Sequence, residues 1–473
     1  MILIAIFVLP IAAAAVAMIE HRVAPAVTVA AALAAFGLAV HVGLTVAAGG
    51  SIAGIPGWIA ADGLSALLLL LISFVGVTGA VFSVGYMARS GSDRRLRGYY
   101  ASYNLFLASI LAVPLLAELS MVWIAVELTT LFSVFLVGYT GDHAALEAAW
   151  KYAVLTLMGA AIALLGFLIL FWGLRAAGGT AFTWDGVRNA APGMTPALLG
   201  TAFLLILVGF GTKVGLVPLH TWLPDAHSQA PTPVCLLLSG VETSAVLYVI
   251  LRLIPLAAGV GSGVWAQVFG LISVGAAAFL LLQVRDYKRL FAFSTVEHMG
   301  IILTAAGFGS GGAAYGATYQ LLAHAVTKSF AFLAAGLVLL AMGTREIDQV
   351  RGLIRRSPLA GAAVLVGGLA IAGAPPFVVF LSEFSILRAG IGAGYYLAVG
   401  LLGLFVVIAF FGIMWHVARM AFGRPPEGME PVRLPVSARI AVAIAGIPVV
   451  ALGMYLPGPL HALLRLAAEA LSR

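Results

Sequence analysis

Apolar runs of about 20 residues recur along almost the whole chain, and that length is what a helix needs to cross a hydrocarbon core about 30 Å thick. Breaking the 473-residue sequence at its polar loops gives about 14 such segments. They lie near 2–19, 25–48, 61–87, 99–118, 120–140, 149–175, 195–217, 232–255, 262–283, 289–308, 312–342, 358–388, 393–421 and 435–456. With 62% hydrophobic and 9% charged residues, no soluble fold could hide this much apolar surface. The expected fold is an all-α polytopic membrane protein, one membrane domain over 1–473. Met1 to Ile19 lacks a basic region ahead of its apolar run and reads as the first span rather than a secretory signal. A final amphipathic stretch, Leu460 to Ser472, reads as lying on the surface.

The single cysteine, Cys235, excludes a disulfide framework and any cluster or zinc site ligated by several cysteines. No CxxC or HExxH is present, and the nine histidines show no metal-ligand spacing. The reading is therefore no cofactor and no metal on this chain, with any redox chemistry on another. The net charge of +7 sits in short loops between spans and is no nucleic-acid signature. Most Lys and Arg fall on one side, among them Arg22, Arg89, Arg94, Arg97, Lys151, Lys288, Arg289, Arg345, Arg355 and Arg424. The opposite side has Arg175, Arg188, Arg252, Arg388, Arg465 and Arg473. By the positive-inside rule the first side is cytoplasmic, which puts both termini on the outer face of the cell inner membrane.

Two spans look broken at mid-depth. One carries Gly209, Gly211, Gly215 and Pro218; the other carries Gly373, Pro375 and Pro376. Such breaks survive only where protein or a wet cavity surrounds them. Each lies beside an ionisable residue, the pattern expected of inverted-repeat transporters. The expected organisation is helices 1–3 over 1–98, a first five-helix repeat over 99–255, a second over 262–421, and a last helix and tail over 435–473. The broken helices are then numbers 7 and 12.

Ionisable residues inside spans are costly and default to function. Glu127 lies within the fifth span and Lys213 in the first broken one, and each is the other's natural partner. At an effective dielectric of about 20, opposite charges about 4 Å apart attract by about 4 kcal/mol, and doubling the distance halves this. A small movement of Glu127 could then make Lys213 release a proton. Gln320, His324 and Lys328 recur at i, i+4 and i+8 and share one helix face, a polar stripe suited to relaying protons. Glu383 follows the second break.

A second tier of candidates has competing readings. Glu147 and Lys151 read equally as a surface ion pair. Glu297 and His298 suit an ion path or helix packing, and Glu242 lies buried in the eighth span. His220, Asp225 and His227 read equally as an opening toward the cytoplasm or as helix caps.

The stretch from Pro218 to His227 followed by Ala230-Pro231-Thr232-Pro233-Val234 strongly resembles the hallmark of the proton-translocating antiporter-like membrane subunits. These occur in respiratory complex I, multisubunit sodium/proton antiporters and membrane-bound nickel–iron hydrogenases. Asp62 to Ser65, Ala148 to Tyr152, Asp286-Tyr287-Lys288-Arg289-Leu290 and Ser294 to Gly300 extend the resemblance over most of 60–390. It implies 14 core helices with helices 7 and 12 broken. It also implies an essential pair at Glu127 and Lys213, a central axis at His324 and Lys328, and a terminal residue at Glu383. One departure is Ser244, where many members place a lysine; water or Glu242 could substitute there. The stretch around His298 and the short C-terminus lean toward the hydrogenase-type branch.

The resulting expectation is a proton-pumping subunit of a redox-driven assembly. Its partners are other membrane subunits, peripheral redox subunits, protons or Na+, and the bilayer. The alternatives are a non-redox cation/proton antiporter or inorganic-carbon-uptake subunit, and a passive scaffold for an oxidoreductase.

Overall fold

The computed structural model describes residues 1–88, 92–423 and 433–472, so Arg89, Arg424 and Arg473 lie outside the described residues. The chain is built almost wholly from helices. The first group is α1 (Ile2–Ile19), α2 (Ala24–Gly49), α3 (Gly63–Met87), α4 (Asp93–Ala112), α5 (Leu119–Val137), α6 (His143–Ala176) and α7 (Trp184–Ala190). Next come α8 (Pro196–Val214), α9 (Trp222–Gln229), α10 (Thr232–Leu237) and α11 (Thr243–Leu256). The second half holds α12 (Ser262–Leu281), α13 (Tyr287–Gly307), α14 (Gly311–Met342), α15 (Leu353–Arg356), α16 (Pro358–Ile371), α17 (Val378–Gly392) and α18 (Tyr396–Phe422). α19 (Val436–Met454) and α20 (Gly458–Ser472) complete it. A two-residue antiparallel pair, β1 (Ile52–Ala53) and β2 (Ala60–Ala61), closes the loop before α3.

Among the described residues, 12 helices are long and apolar enough to cross a membrane, counting Thr232–Leu256 as one. Two expected segments differ from the rest. α4 opens on Asp93-Arg94-Arg95-Leu96-Arg97, which dilutes its apolar character, and the segment at 358–388 is two short helices, α16 and α17. α10 and α11 are joined by a π-helical turn, Leu238–Glu242, that the sequence did not announce. The stretch Thr232–Leu256 is wholly buried by its neighbours, and α13 and α14 nearly so, so the polar residues they carry face protein rather than lipid.

The first break falls at the C-terminal end of its expected stretch. Helix α8 runs through Gly209 and Gly211 and stops at Val214, because Gly215 takes φ 87° and its N–H bonds back to the Gly211 carbonyl. Gly209 serves packing instead. A Cβ there would press on the backbone of Gly159 and Ala163, so α6 and α8 touch closely, as small residues permit in lipid. The second break follows Ile371, with Gly373 at φ 75°. The carbonyls freed at both breaks find side-chain donors. Trp222 Nε1 donates to Thr212 O at 2.7 Å, and His298 Nε2 lies 3.0 Å from Ile371 O. Freed carbonyls are thus matched inside the protein, as the hydrocarbon requires.

α12 and α13 meet through Gly270 and Gly300, where a Cβ on either would stand 2.7 Å from the other's carbonyl oxygen. Gly300→Val should therefore push α13 off α12 and cost about 1–3 kcal/mol, read as a lower melting temperature in detergent. A variant melting with the wild type would show that this contact tolerates side chains. The tail helix α20 is more firmly seated than a surface helix need be. It buries Leu463, Leu464, Ala467 and Ala468, and Gly63 at the start of α3 abuts its backbone at Leu466.

Candidate functional site

Lys213 occupies the last turn of α8 and is 1% exposed. Its Nζ donates to Val126 O at 2.7 Å and to Thr130 Oγ1, two groups one turn apart on α5. The carboxylate it pairs with is Glu242, whose Oε1 lies 3.5 Å away. Glu242 stands at the end of the π turn, and the same oxygen accepts from Thr129 Oγ1 at 2.8 Å and Tyr152 OH at 3.1 Å. Ser133 Oγ lies 2.7 Å from Tyr152 OH, while Glu242 Oε2 is buried without a hydrogen bond.

This corrects the expected partnership of Glu127 with Lys213. Glu127 precedes Thr130 by three residues and so lies on nearly the same helix face, but the carboxylate in ion-pair contact with Lys213 is that of Glu242. Glu127 faces a groove of about 350 Å³ between α5 and α6, lined by Trp123, Leu131, Phe135, Ala153 and Leu157. Its Oε1 has no hydrogen-bond partner. Glu127 makes no ion pair within 4 Å among the described residues, although the charges of Lys213 and Glu242 both reach it.

The second cluster hangs on α14. Gln320, His324 and Lys328 are fully buried and share one face. Lys328 Nζ donates to Phe291 O at 2.5 Å and to Ser294 Oγ at 2.6 Å. The His324 and His298 rings are 5.3 Å apart, and His298 Nδ1 lies 3.3 Å from Gln320 Nε2. Ser382 donates to Gln320 Oε1. Next to Ser382 in the chain, Glu383 is 8% exposed and lays its carboxyl group over Gly373, where any Cβ would collide with it. Glu297 is 3% exposed, its Oε2 has no hydrogen bond, and the charges of Lys328 and Glu383 bear on it.

Between the two clusters stands the π turn. Ser239 at its second position presents its carbonyl to His324 Nε2 at 2.9 Å and its hydroxyl to Thr295 Oγ1 at 2.6 Å. Glu242 at its last position reaches Lys213. Ser244, where the relay was expected to falter, only bends back toward Gly240 O at 3.5 Å. The link therefore runs through the turn that holds Ser239 and Glu242.

The remaining candidates separate into two groups. Glu147, Lys151, Asp225 and Arg289 form a half-exposed network, with contacts of 2.6 Å, 3.2 Å and 2.5 Å, far from the axis in character. Ion pairs this wet stabilise little. Lys288 is buried and pins the Ser228 and Ala230 carbonyls at 3.0 and 2.6 Å. His227 is fully buried, and His220 is half-buried beside Phe293.

Sequence reasoning missed Thr129, Thr130, Tyr152, Ser239, Ser294 and Ser382. All are hydroxyl residues, and all but Tyr152 lie within a turn or two of a buried charge in the chain, the adjacency that was the available signal. It also missed the ion pair of Asp62, which caps α3 through Ser65 N, with Arg252 on α11.

Buried acids, lysines and histidines strung through a many-helix membrane domain with two interrupted helices define an ion-translocating membrane subunit. The chain belongs to the family described as NADH:quinone oxidoreductase/Mrp antiporter, transmembrane, whose model matches residues 117–411. A second model, for the N-terminus of complex I chain 5, matches residues 55–100. The chain is 35% identical over 411 residues to a hydrogenase-4 component F homolog of Methylacidiphilum infernorum, covering 84% of this chain and 85% of that one. It is 33% identical over 341 residues to hydrogenase-4 component B of Escherichia coli, 68% of this chain, and spans only about half (49%) of that relative's length. A chain in the structure of the membrane-bound sulfane sulfur reductase, an archaeal respiratory membrane complex, shares the fold with a TM-score of 0.89. That likeness covers 99% of this chain and 98% of the other at 23% identity.

Proposed function

We propose that this chain is a proton-translocating subunit of a redox-driven complex I-like or hydrogenase-type membrane assembly. The observation that carries the reading is the buried Lys213–Glu242 pair, joined through one turn of backbone to His324, His298 and Lys328. In this reading the chain moves protons and other subunits supply the energy. The relatives named above are components of multi-subunit membrane systems, which supports partners of the same kind here.

The axis favours protons over Na+. A hard metal cation wants several oxygen ligands at once. Here the middle of each cluster is a lysine, whose ammonium repels such an ion while its nitrogen can accept and release a proton. Each lysine has prearranged acceptors: Val126 O and Thr130 Oγ1 for Lys213, Phe291 O and Ser294 Oγ for Lys328. A proton arriving on one lysine shifts the balance of charge at Glu242 or Glu297, which bear on it, and so passes the change along the axis.

The basic side faces the cytoplasm of the inner membrane in this reading. The stretches 99–255 and 262–421 act as two repeats, each with one broken helix, and Glu127 and Glu383 stand at the two ends of the path. Lys213→Met tests the whole reading. In inside-out vesicles holding the complete assembly, it should abolish the redox-driven pH gradient while the assembly still forms. A full gradient in that variant would overturn the reading.

A further inference from the structure

A cleft of about 450 Å³ opens on the basic side at the junction between α12 and α13. Its polar lining is Gln283, Arg285, Asp286, Arg289, Arg345 and Glu346. The frame beneath these side chains is fixed. Tyr287 N donates to Arg345 O at 3.2 Å and Ile347 N to Arg285 O at 2.8 Å, so that Asp286 and Glu346 pair as an antiparallel bridge.

The charges in the lining are unequally committed. Asp286 caps α13, accepting from the N–H groups of Lys288 and Arg289, and stands 3.9 Å from Arg345 Nε. Arg345 Nη1 donates to Ser228 O and Gln229 Oε1, at 2.5 and 3.0 Å. Arg289 spends Nη2 on Asp225. Arg285 is exposed and makes no ion pair or side-chain hydrogen bond among the described residues. Three guanidinium groups thus stand with two carboxylates, those of Asp286 and Glu346, an excess of one positive charge.

Depth and surroundings select the kind of anion. α12 has 20 residues and is therefore about 30 Å long, the thickness of a hydrocarbon core. The cleft begins at the last turn of this helix, which puts it at the level of the lipid headgroups. Trp265, Val268, Ile272 and Phe279 recur on one face of α12, each at least 40% exposed. This apolar track leads along the helix to Leu280 and Gln283, which line the cleft. A soluble anion would use the arginines alone, whereas a phospholipid uses the arginines and the track together.

We propose that the cleft binds the phosphate of an anionic phospholipid whose acyl chains lie along the exposed face of α12. Basic pockets between membrane helices suit such headgroups. Arg285 supplies a free guanidinium, and Arg289 and Arg345 add the donors that their protein partners leave over. The one excess positive charge matches the one negative charge of a phosphatidylglycerol headgroup. An ethanolamine headgroup, whose ammonium cancels its own phosphate, leaves that excess unmatched. The site lies outside the buried axis and does not depend on which ion the axis moves.

The test uses the complete assembly in membranes holding a trace of phosphatidylglycerol with a photoreactive diazirine in its acyl chain. Irradiation should label α12 between Val268 and Leu282, read by peptide mass spectrometry. Labelling should fall about fivefold in Arg285→Gln and about thirtyfold in Arg285→Glu, at about a factor of five per surface charge. Arg355→Gln removes an exposed charge of the same side outside the cleft and should label like the wild type. Equal labelling of the wild type and Arg285→Glu would overturn the site. So would equal labelling of the wild type by the ethanolamine analogue. Loss of labelling in an excess of inorganic phosphate would give the cleft to a soluble anion and overturn the lipid. No label on α12 would mean that another subunit covers this face, and would overturn the proposal as well.

Discussion

Glu242→Gln should abolish proton translocation outright and do so more completely than Glu127→Gln. Glu242 is the carboxylate 3.5 Å from Lys213, and both side chains are 1% exposed. Removing one partner of a buried pair leaves an uncompensated charge, at a cost of about 3–5 kcal/mol. Lys213 escapes that cost by giving up its proton for good, and a permanently neutral lysine cannot take part in a relay. The fold survives, because the neutral amine keeps Val126 O and Thr130 Oγ1 as acceptors. Glu127 touches no cation, so its neutralisation removes only a field acting from a greater distance. Redox-driven acidification of inside-out vesicles, with assembly checked on a native gel, measures both variants. A fully active Glu242→Gln beside an inactive Glu127→Gln would return the functional partnership to Glu127.

The second large effect is on stability. Asp62 accepts both bonds from Arg252 Nη2, at 2.6 and 2.7 Å, and Arg252 also lies against the Tyr248 and Trp184 rings, 4.6 and 5.4 Å from their centroids. The pair is lopsided. The Arg252 side chain is 6% exposed and the Asp62 side chain 34%. Asp62→Asn therefore strands a buried guanidinium and should cost about 3 kcal/mol, at the lower end of what broken buried pairs lose. Arg252→Met leaves a carboxylate that water can reach, and should cost about 1 kcal/mol. Burial raises the Asp62 carboxyl, but the Arg252 guanidinium outweighs it, so the group sits below its ordinary value of 3.8. A carboxyl depressed in this way contributes stability that is complete above about pH 4 and is lost as pH falls through its folded-state value. Detergent melting curves of the two variants, at neutral and acid pH, check both the order and the sign. Equal losses would mean that exposure does not set the asymmetry.

Much of this was legible in the residues. Apolar runs near the membrane's own thickness announced the helices, and the charges among them marked the axis, because a costly residue in lipid must have a reason to be there. Gln320, His324 and Lys328 declared a shared face by spacing alone. The pairing was not legible. Lys213 could be matched to an acid on α5 or on the eighth span, and only packing shows that its contacts are Val126 O, Thr130 Oγ1 and Glu242 rather than the Glu127 carboxylate. Nor could the break be placed by composition. Gly209, Gly211 and Gly215 look alike in the sequence, yet only Gly215 takes positive φ, while Gly209 lets α6 come near. The π turn was hidden for a similar reason, since nothing in Leu238-Ser239-Gly240-Val241-Glu242 distinguishes it from ordinary helix.

That turn carries a mechanical consequence. A π turn holds more backbone per revolution than α-helix needs, and returning it to α-helical winding would swing everything on one side by about 100°. Ser239 and Glu242 ride on it together, one gripping His324 and the other Lys213. A change of winding in the turn would therefore shift the Ser239–His324 contact relative to the Glu242–Lys213 contact, so the two halves of the axis could not both keep their present registers.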